Sequence, residues 1–422
     1  MSIFKQIFEY INPSSKIHFI LELSSYVLFA SAMFSIPACS FTSGMSFITW
    51  ILSGLFILDI LLICFLYYKI RIDLINISLL LFCLVALLST LLNNAFQSFT
   101  FTPIVLCIFT AIVYTYCASN SKSRYPLLIA AFVGIICFSI LYFVKYFPEL
   151  INFDFGRLGN IFGDNNDIAI ILTIGTVIAF WLIFKVSKIS YKIVLSLIAI
   201  FLLYCGFTTG SKILLIEIII CGIIGPFTFV KKDKWWIVAI SLVGIIGIIV
   251  GFLFLPIGSV LRDRIAKMFI TIFNPQEAVS THSYDTSTAI RFDMFLDGMT
   301  MFLRKPLFGY GIHGFYRASS YGYGWSHNNI SESLCSFGLV GTFLFHFGLV
   351  YSFYNCCKKK NKILLDRLYF MLFLFFLICM ISVALNSQKV YAFLIGICIA
   401  EYSNLKPIIE ISYGKEKKIL IS

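Results

Sequence analysis

The chain has 422 residues, 60% of them hydrophobic and 12% charged, with 32 Lys and Arg against 20 Asp and Glu for a formal charge of +12. A soluble domain carries roughly a quarter charged residues, so this composition cannot cover a water-facing surface and excludes an ordinary globular protein. A bilayer core about 30 Å thick takes roughly 20 apolar residues per helix, and the chain reads as an all-α, polytopic membrane protein.

In chain order the apolar runs predict about twelve transmembrane helices, at 17–36, 45–68, 74–92, 99–118, 126–147, 166–185, 190–208, 211–230, 235–257, 330–354, 365–386 and 388–404. The runs are too long and too unalternating for a transmembrane barrel. Lys5, Glu9 and Lys16 precede the first run without a small-residue cleavage site, so that helix is expected to stay as an anchor. Of the 32 basic residues, 21 fall in one set of alternating segments, from Lys5 and Lys16 through Lys69, Arg71, Lys122 and Arg124 to Lys415, Lys417 and Lys418. Positive loops favour the cytoplasm, which puts both termini there. The organisation expected is transmembrane helices one to nine over 1–257, an extracytoplasmic loop over 258–329, and the last three helices with a cytoplasmic tail over 330–422. Topology and contacts with anionic membrane lipids account for these charges, so no nucleic-acid partner is expected.

Thirteen cysteines, an odd number scattered mostly through apolar runs, read as small core residues. No Cys/His spacing suggests zinc, and neither a metal nor another cofactor is expected.

Basic residues on the other side run against the orientation rule, and nearly all flank two segments, 148–165 and 258–329. The second is far longer than ordinary loops, as functional loops tend to be. Within it, 291–303 reads RFDMFLDGMTMFL, with Phe292, Phe295, Met299 and Phe302 at helical spacing. Such a helix either lies in the membrane interface or packs over the bundle. Pro306, Gly309, Gly311 and Gly314 then break it into a loop rich in tyrosine and glycine. Tyr321, Tyr323 and Trp325 there suit sugar rings or an interfacial belt.

Three helix starts on this side carry the chemistry. Their N-termini present free N–H groups and the positive end of a dipole, which together bind anions. Arg157 through Asn165, Asn166 and Asp167 precede the sixth span, Thr208 through Ser211 and Lys212 the eighth, and Trp325 through His327, Asn328 and Asn329 the tenth. Each residue also has a plain structural role open to it. Asn329 with Glu332 resembles a capping box, Ser211, Asn166 and Asp167 suit helix caps, Arg157 suits an interfacial arginine, and Lys212 a snorkelling lysine. His327, at a positive helix end near cations, has its pKa drawn down, leaving a neutral imidazole to take a proton from a hydroxyl.

The run GYGIHGFYRASSYGYGWSHNNISESLCSFGLVGTFLFHFGLVY, Gly309 to Tyr351, resembles the pattern G-x-G … H-N-x-x-x-E-x-L-x-x-x-G-L-x-G of the O-antigen ligase and polymerase superfamily, the Wzy and WaaL proteins. The segment from Arg291 to Gly311 resembles its R … P-x-x-G-x-G approach. Arg157-Leu158-Gly159 with Asp164-Asn165-Asn166, and Thr209-Gly210-Ser211-Lys212, resemble its other external motifs. One departure is Lys212, where many members carry Arg; the charge is kept and the bidentate fork lost. The resemblance implies a GT-C-type glycosyltransferase of the bacterial inner membrane, working on the extracytoplasmic face on glycans linked to undecaprenyl diphosphate. It implies His327 as the catalytic group and Arg157, Lys212, Arg291 and Arg317, with Asn165, Asn166, Ser211 and Asn328, as residues that bind diphosphate or sugar, in place of a metal. Among members the chain looks more like a Wzy polymerase of O-antigen or capsule, on Asn328-Asn329 with Glu332 and the Gly-Asp-Asn-Asn-Asp stretch, than like a ligase that transfers to lipid A-core. A Wzz-like chain-length regulator is then an expected partner. A transporter or flippase is the alternative from another class. Glu22, Asp59 and Glu217 inside apolar runs favour it, and the absence of a repeat and the clustering of motifs on one face oppose it.

Overall fold

The computed structural model describes residues 16–38, 45–94, 101–151, 165–212, 259–273, 286–319, 326–359, 364–381, 389–412 and 418–421, with isolated positions at 224, 243, 247, 251 and 254. Among them, eight helices are long and apolar enough to cross a membrane. The first seven are α1 Lys16–Ser35, α2 Met45–Tyr67, α3 Leu74–Leu92, α4 Thr102–Ser119, α5 Arg124–Lys145, α7 Asn165–Lys185 and α8 Ile189–Thr208. A single-turn helix, α6 Phe147–Ile151, follows α5. The chain is a multi-pass membrane protein. Expected spans at 211–230 and 235–257 fall almost wholly outside the described residues. Those at 365–386 and 388–404 are the shorter helices α13 Leu364–Cys379 and α14 Lys389–Tyr402.

Local chemistry sets the ends of these helices. Asp73 caps α3, accepting the Ile75 and Asn76 amides at 2.9 and 3.3 Å, and Pro103 fills the first turn of α4, where no amide is needed. Side chains facing lipid are apolar in their turn, as with Leu58 and Leu197, 64% and 61% exposed. Inside, Phe29 stacks on Phe56 and both meet Phe393 edge-on, in one aromatic cluster that ties α1, α2 and α14 together. Close approach of α5 to α1 depends on Gly134, where a Cβ would run into the Ala30 carbonyl.

One end of the bundle is basic. There Arg124 pairs with Glu401 at 2.8 Å and Lys359 with the buried Asp366 at 2.7 Å. The same end departs from an all-α fold. β1 Lys69–Ile72 pairs antiparallel with β2 Ile409–Ser412, and β2 with β3 Lys418–Ile421. Register matches Ile70 to Ile411 and Ile72 to Ile409 on one face, with Arg71 opposite Glu410 on the other. The tail expected to be a plain cytoplasmic extension is therefore a sheet strand pair closing on the α2–α3 connection.

The segment 258–329 holds α9 Ser259–Phe273, α10 Thr286–Arg304 and the short α11 Gly314–Ala318. In α10, Met294 and Met301 are buried against Phe315 and Cys335, while Phe292, Leu296 and Leu303 are exposed on its outer face.

The eighth long helix, α12 Asn329–Lys358, corrects the expectation of a single span at 330–354. Gly338 inside it has φ 65° and ψ −168°, a conformation open essentially to glycine alone. Asn329 and His346 are 17 residues apart and their side chains meet at 2.8 Å; a straight helix would separate them by about 25 Å. α12 is thus a hairpin of two helical arms folded at Gly338. The loop after α10 plugs the bend: Tyr310 and Gly311 amides donate to the Cys335 and Ser336 carbonyls at 2.9 and 2.7 Å, and the Leu339 and Val340 amides donate to Pro306 and Leu307 at 2.8 and 3.2 Å. That satisfies backbone groups which a break in a membrane helix would strand. The loop is fastened in turn to the far end of α3, where the Thr90 hydroxyl accepts the Ile312 amide at 3.0 Å and Asn93 donates to the Gly309 carbonyl at 3.2 Å. The bend therefore lies at the end of the bundle away from the basic sheet.

Candidate active site

Two polar clusters form at that far end, joined by α10. The first sits where α8 ends and α7 begins. Gly210, at φ 59°, turns the chain after α8, and the Thr209 hydroxyl donates to the Gly206 carbonyl at 2.7 Å while accepting the Ser211 amide at 3.2 Å. This presents Ser211, fully buried, to donate to the Asn166 side-chain carbonyl at 2.8 Å. Lys212 reaches across to the Thr288 hydroxyl of α10 at 2.8 Å. The Arg264 guanidinium of α9 donates to the Gly210 carbonyl. Beside Asn166, Asn165 is 2% exposed, and neither its amide nitrogen nor its side-chain oxygen has a partner among the described residues. An unmet buried polar group costs about 1–3 kcal/mol.

The second cluster is the open tip of the hairpin. Asn328 is the N-cap of α12: its side-chain carbonyl accepts the Ile330 and Ser331 amides at 3.0 Å each, and its side-chain amide donates to the Ile381 carbonyl at 3.0 Å. Glu332, expected to close a capping box on Asn329, instead accepts the Ser326 amide at 2.8 Å and the Ser336 hydroxyl at 3.1 Å. Asn329 is inside the helix, its backbone amide donating to the Met380 carbonyl at 2.8 Å. Its side-chain amide donates to His346 Nε2, because His346 Nδ1 lies 2.8 Å from the Thr342 carbonyl and must carry the proton. These bonds tie the tip to the second arm and to α13. His327 stands immediately before the cap, half-buried, with φ 52°. A left-handed histidine is uncommon and strained, and such strain gathers at functional positions.

α10 sets the spacing of the two clusters. Its first turn holds Lys212 through Thr288, and its Phe295 carbonyl takes the Ser331 hydroxyl at 3.4 Å. Thr288 and Phe295 are seven residues apart, roughly 10 Å along the axis, with Arg291 half-buried between them. Gly298 allows the closest approach, since a Cβ there would strike the Ser331 hydroxyl.

The structure thus brings together Asn165, Asn166, Ser211 and Lys212, and sets Arg291 on the helix that leads to His327. Asn328 is engaged as a cap. Arg317 is exposed on α11 and bonds the Tyr310 carbonyl at 2.6 Å, with partial burial lowering its pKa. Arg157 lies outside the described residues, as do Tyr321, Tyr323 and Trp325. Sequence reasoning missed Arg264, Thr288 and His346. Arg264 was visible as one of the basic residues on the disfavoured side, whereas His346 is unreadable without knowing that Gly338 folds α12 back on itself.

Part of the chain is similar to the Wzy_C family. Residues 195–346 match that family, described as O-antigen ligase, which supports the O-antigen ligase/polymerase superfamily. No curated protein matches the chain. The Wzy_C segment starts in α8 and takes in Ser211, Lys212, Arg264, α10, His327 and both arms of the hairpin as far as His346; Asn165 and Asn166 lie before it.

Proposed function

We propose that the protein is an inverting glycosyltransferase of the GT-C type that polymerises undecaprenyl-diphosphate-linked oligosaccharides on the extracytoplasmic face of the bacterial inner membrane. The observation that carries this reading is the far-end cluster, where Lys212 and Arg264 bond to Thr288 and to the Gly210 carbonyl and the buried Asn165 side chain has no partner among the described residues. Cations and unmet donors suit an anion, and the diphosphate leaving group of a lipid-linked sugar is one. In the reaction a sugar hydroxyl of the acceptor attacks the anomeric carbon of the donor and the bond from that carbon to the diphosphate oxygen breaks. The hydroxyl proton passes to His327, and the negative charge departs with undecaprenyl diphosphate. Lys212, Arg264 and Arg291, with Arg157 by its place in the motif, stabilise that charge as it develops, and no metal is required. Asn165, Asn166 and Ser211 position the phosphates.

A second reading is a ligase that uses the same donor and a lipid A-core acceptor; the O-antigen ligase description of the matched family favours it. The family match gives transport no support. Reconstitution with undecaprenyl-diphosphate-linked repeat units in EDTA separates the two. A ladder of longer lipid-linked glycans is the polymerase result. Transfer only after lipid A-core is added is the ligase result, and absence of both would remove the glycosyltransferase reading.

A further inference from the structure

Glu332 is buried in the first turn of α12. Burying a carboxylate is costly and calls for hydrogen bonds in return, and Glu332 has one on each oxygen. Oε1 accepts the Ser336 hydroxyl at 3.1 Å, one turn further along the helix, and Oε2 accepts the Ser326 amide at 2.8 Å. A glutamate in a first helical turn ordinarily complements the dipole or reaches back to the N-cap residue. Here Asn328 does the capping, taking the Ile330 and Ser331 amides, and the Glu332 amide is itself bonded to the Asn328 carbonyl. The Glu332 carboxylate reaches past that cap to a residue outside the helix.

This reach closes a ring from Ser326 to Glu332, with His327 inside it. Ser326 is wholly buried and held twice, its amide by Glu332 and its hydroxyl donating to the Asn328 carbonyl at 2.9 Å. Asn328 is fixed as the cap and by its bond to the Ile381 carbonyl. With both neighbours pinned, His327 takes up the turn at φ 52°. A residue with a Cβ adopts that conformation at a cost, and it persists where the surroundings enforce it. Among the described residues, the Glu332 bond is the contact from the body of α12 that fixes the chain just ahead of the histidine.

We propose that Glu332 is a positioning residue: through the Ser326 amide, its carboxylate holds the left-handed turn that presents the His327 imidazole to the acceptor. The inference rests on the reading of His327 as the group that takes the acceptor's proton. The hydrogen bond acts, and the charge does not. A neutral side chain of equal length, offering its oxygen to Ser326 and its amide to the Ser336 hydroxyl, therefore serves as well.

The test combines transfer kinetics with NMR of isotope-labelled histidines, on the full chain in nanodiscs. The substrate is undecaprenyl-diphosphate-linked repeat units, with and without lipid A-core, and the His327 signal is the one lost in His327→Ala. Glu332→Leu removes both bonds; Glu332→Asp keeps the charge, falls a methylene short of Ser326 and stands in if Glu332→Leu does not fold. Both are expected to lower kcat about tenfold to a hundredfold, the range of one hydrogen bond to a charged group, with KM for the donor unchanged and the His327 signal displaced. Glu332→Gln, and Ser336→Ala, which leaves the Ser326 bond in place, are expected to stay within about threefold of wild type. In a His327→Ala background, Glu332→Leu should cost nothing further, since residues acting as one unit are not additive. An additive loss there, a Glu332→Gln protein as slow as Glu332→Leu, or an unmoved His327 signal in Glu332→Asp would overturn the proposal. A displaced His327 signal in a protein whose transfer is indifferent to both Glu332→Leu and His327→Ala would sustain the positioning and sink the reading of His327 as the base. Loss of transfer in His327→Ala with none in Glu332→Asp would do the reverse.

Discussion

The bundle of α1 to α8 and the hairpin region from α10 through α12 solve the same problem in opposite ways. In the bundle, backbone groups are satisfied inside straight helices, and the sequence needs only to be apolar, with a small residue such as Gly134 where two helices touch. In the hairpin region the backbone is broken at Gly338 and repaired from outside by the 306–311 loop, and both His313 and His327 are left-handed. Among the described residues, buried polar atoms there lack partners, including one carboxylate oxygen of Asp297. Irregular backbone at membrane depth is costly and is tolerated where it lines a protein cavity. On the proposed reading the bundle is a frame whose α7–α8 end holds the donor, and the irregular region carries the acceptor chemistry against it.

Changes on the irregular side should therefore hurt activity out of proportion to stability. His327→Ala is expected to lower turnover by about 10²–10⁴, the range of a lost general base, with detergent melting temperature little changed; a loss below tenfold in a transfer assay would remove His327 from catalysis. Gly338→Val should come next and break the comparison from the other side. Its φ is closed to a branched residue and its Cβ would strike the Leu307 backbone, so a cost of about 1–3 kcal/mol for strain alone is expected in chemical denaturation. Asn165→Leu separates a ligand-binding amide from a merely unsatisfied one. If the amide serves a ligand, donor affinity falls about tenfold, in the range of one hydrogen bond to a charged group, while stability holds or rises. Unchanged donor affinity would reduce Asn165 to a packing defect.

The smallest effect belongs to the frame. Lys69 pairs with Glu410 at 2.8 Å at the basic end, and that contact holds the Glu410 carboxyl below its ordinary pKa. A depressed carboxylate contributes stability above its unfolded pKa and loses it as pH falls through the folded value. Glu410→Gln should therefore flatten the acid limb of a stability curve below about pH 5, by no more than the few tenths of a kcal/mol typical of exposed pairs, and leave transfer at neutral pH alone.

Much of the frame was legible because hydropathy decides it: the first seven long helices fall close to the apolar runs, since lipid demands those residues whatever their neighbours. The sheet was not, because KIRI and IEIS are four-residue strands from opposite ends of the chain whose pairing no local pattern announces. At the candidate site, Asn165, Asn166, Ser211 and Lys212 were readable as helix starts, and the structure bonds Ser211 to Asn166 and Lys212 to Thr288. The fold-back of α12 was hidden by its own hydropathy: two apolar arms and a glycine read as one span, and it takes the Gly338 dihedral angles, the Asn329–His346 contact and the bonds from the 306–311 loop to distinguish a hairpin from a straight helix. The exchange of the capping box for an Asn328 cap follows from the same ambiguity, since neighbouring asparagines offer the same chemistry one residue apart.

The central claim is that cations at the α8–α7 end hold a lipid diphosphate while His327, on the hairpin tip, serves the acceptor. Measuring donor binding and transfer side by side in reconstituted wild-type protein, His327→Ala and Lys212→Ala tests it most directly. The account predicts that His327→Ala still binds undecaprenyl-diphosphate-linked glycan and fails to extend it, and that Lys212→Ala loses binding first. A His327→Ala protein that makes the same ladder as wild type, or a Lys212→Ala protein with undiminished donor binding, would contradict it.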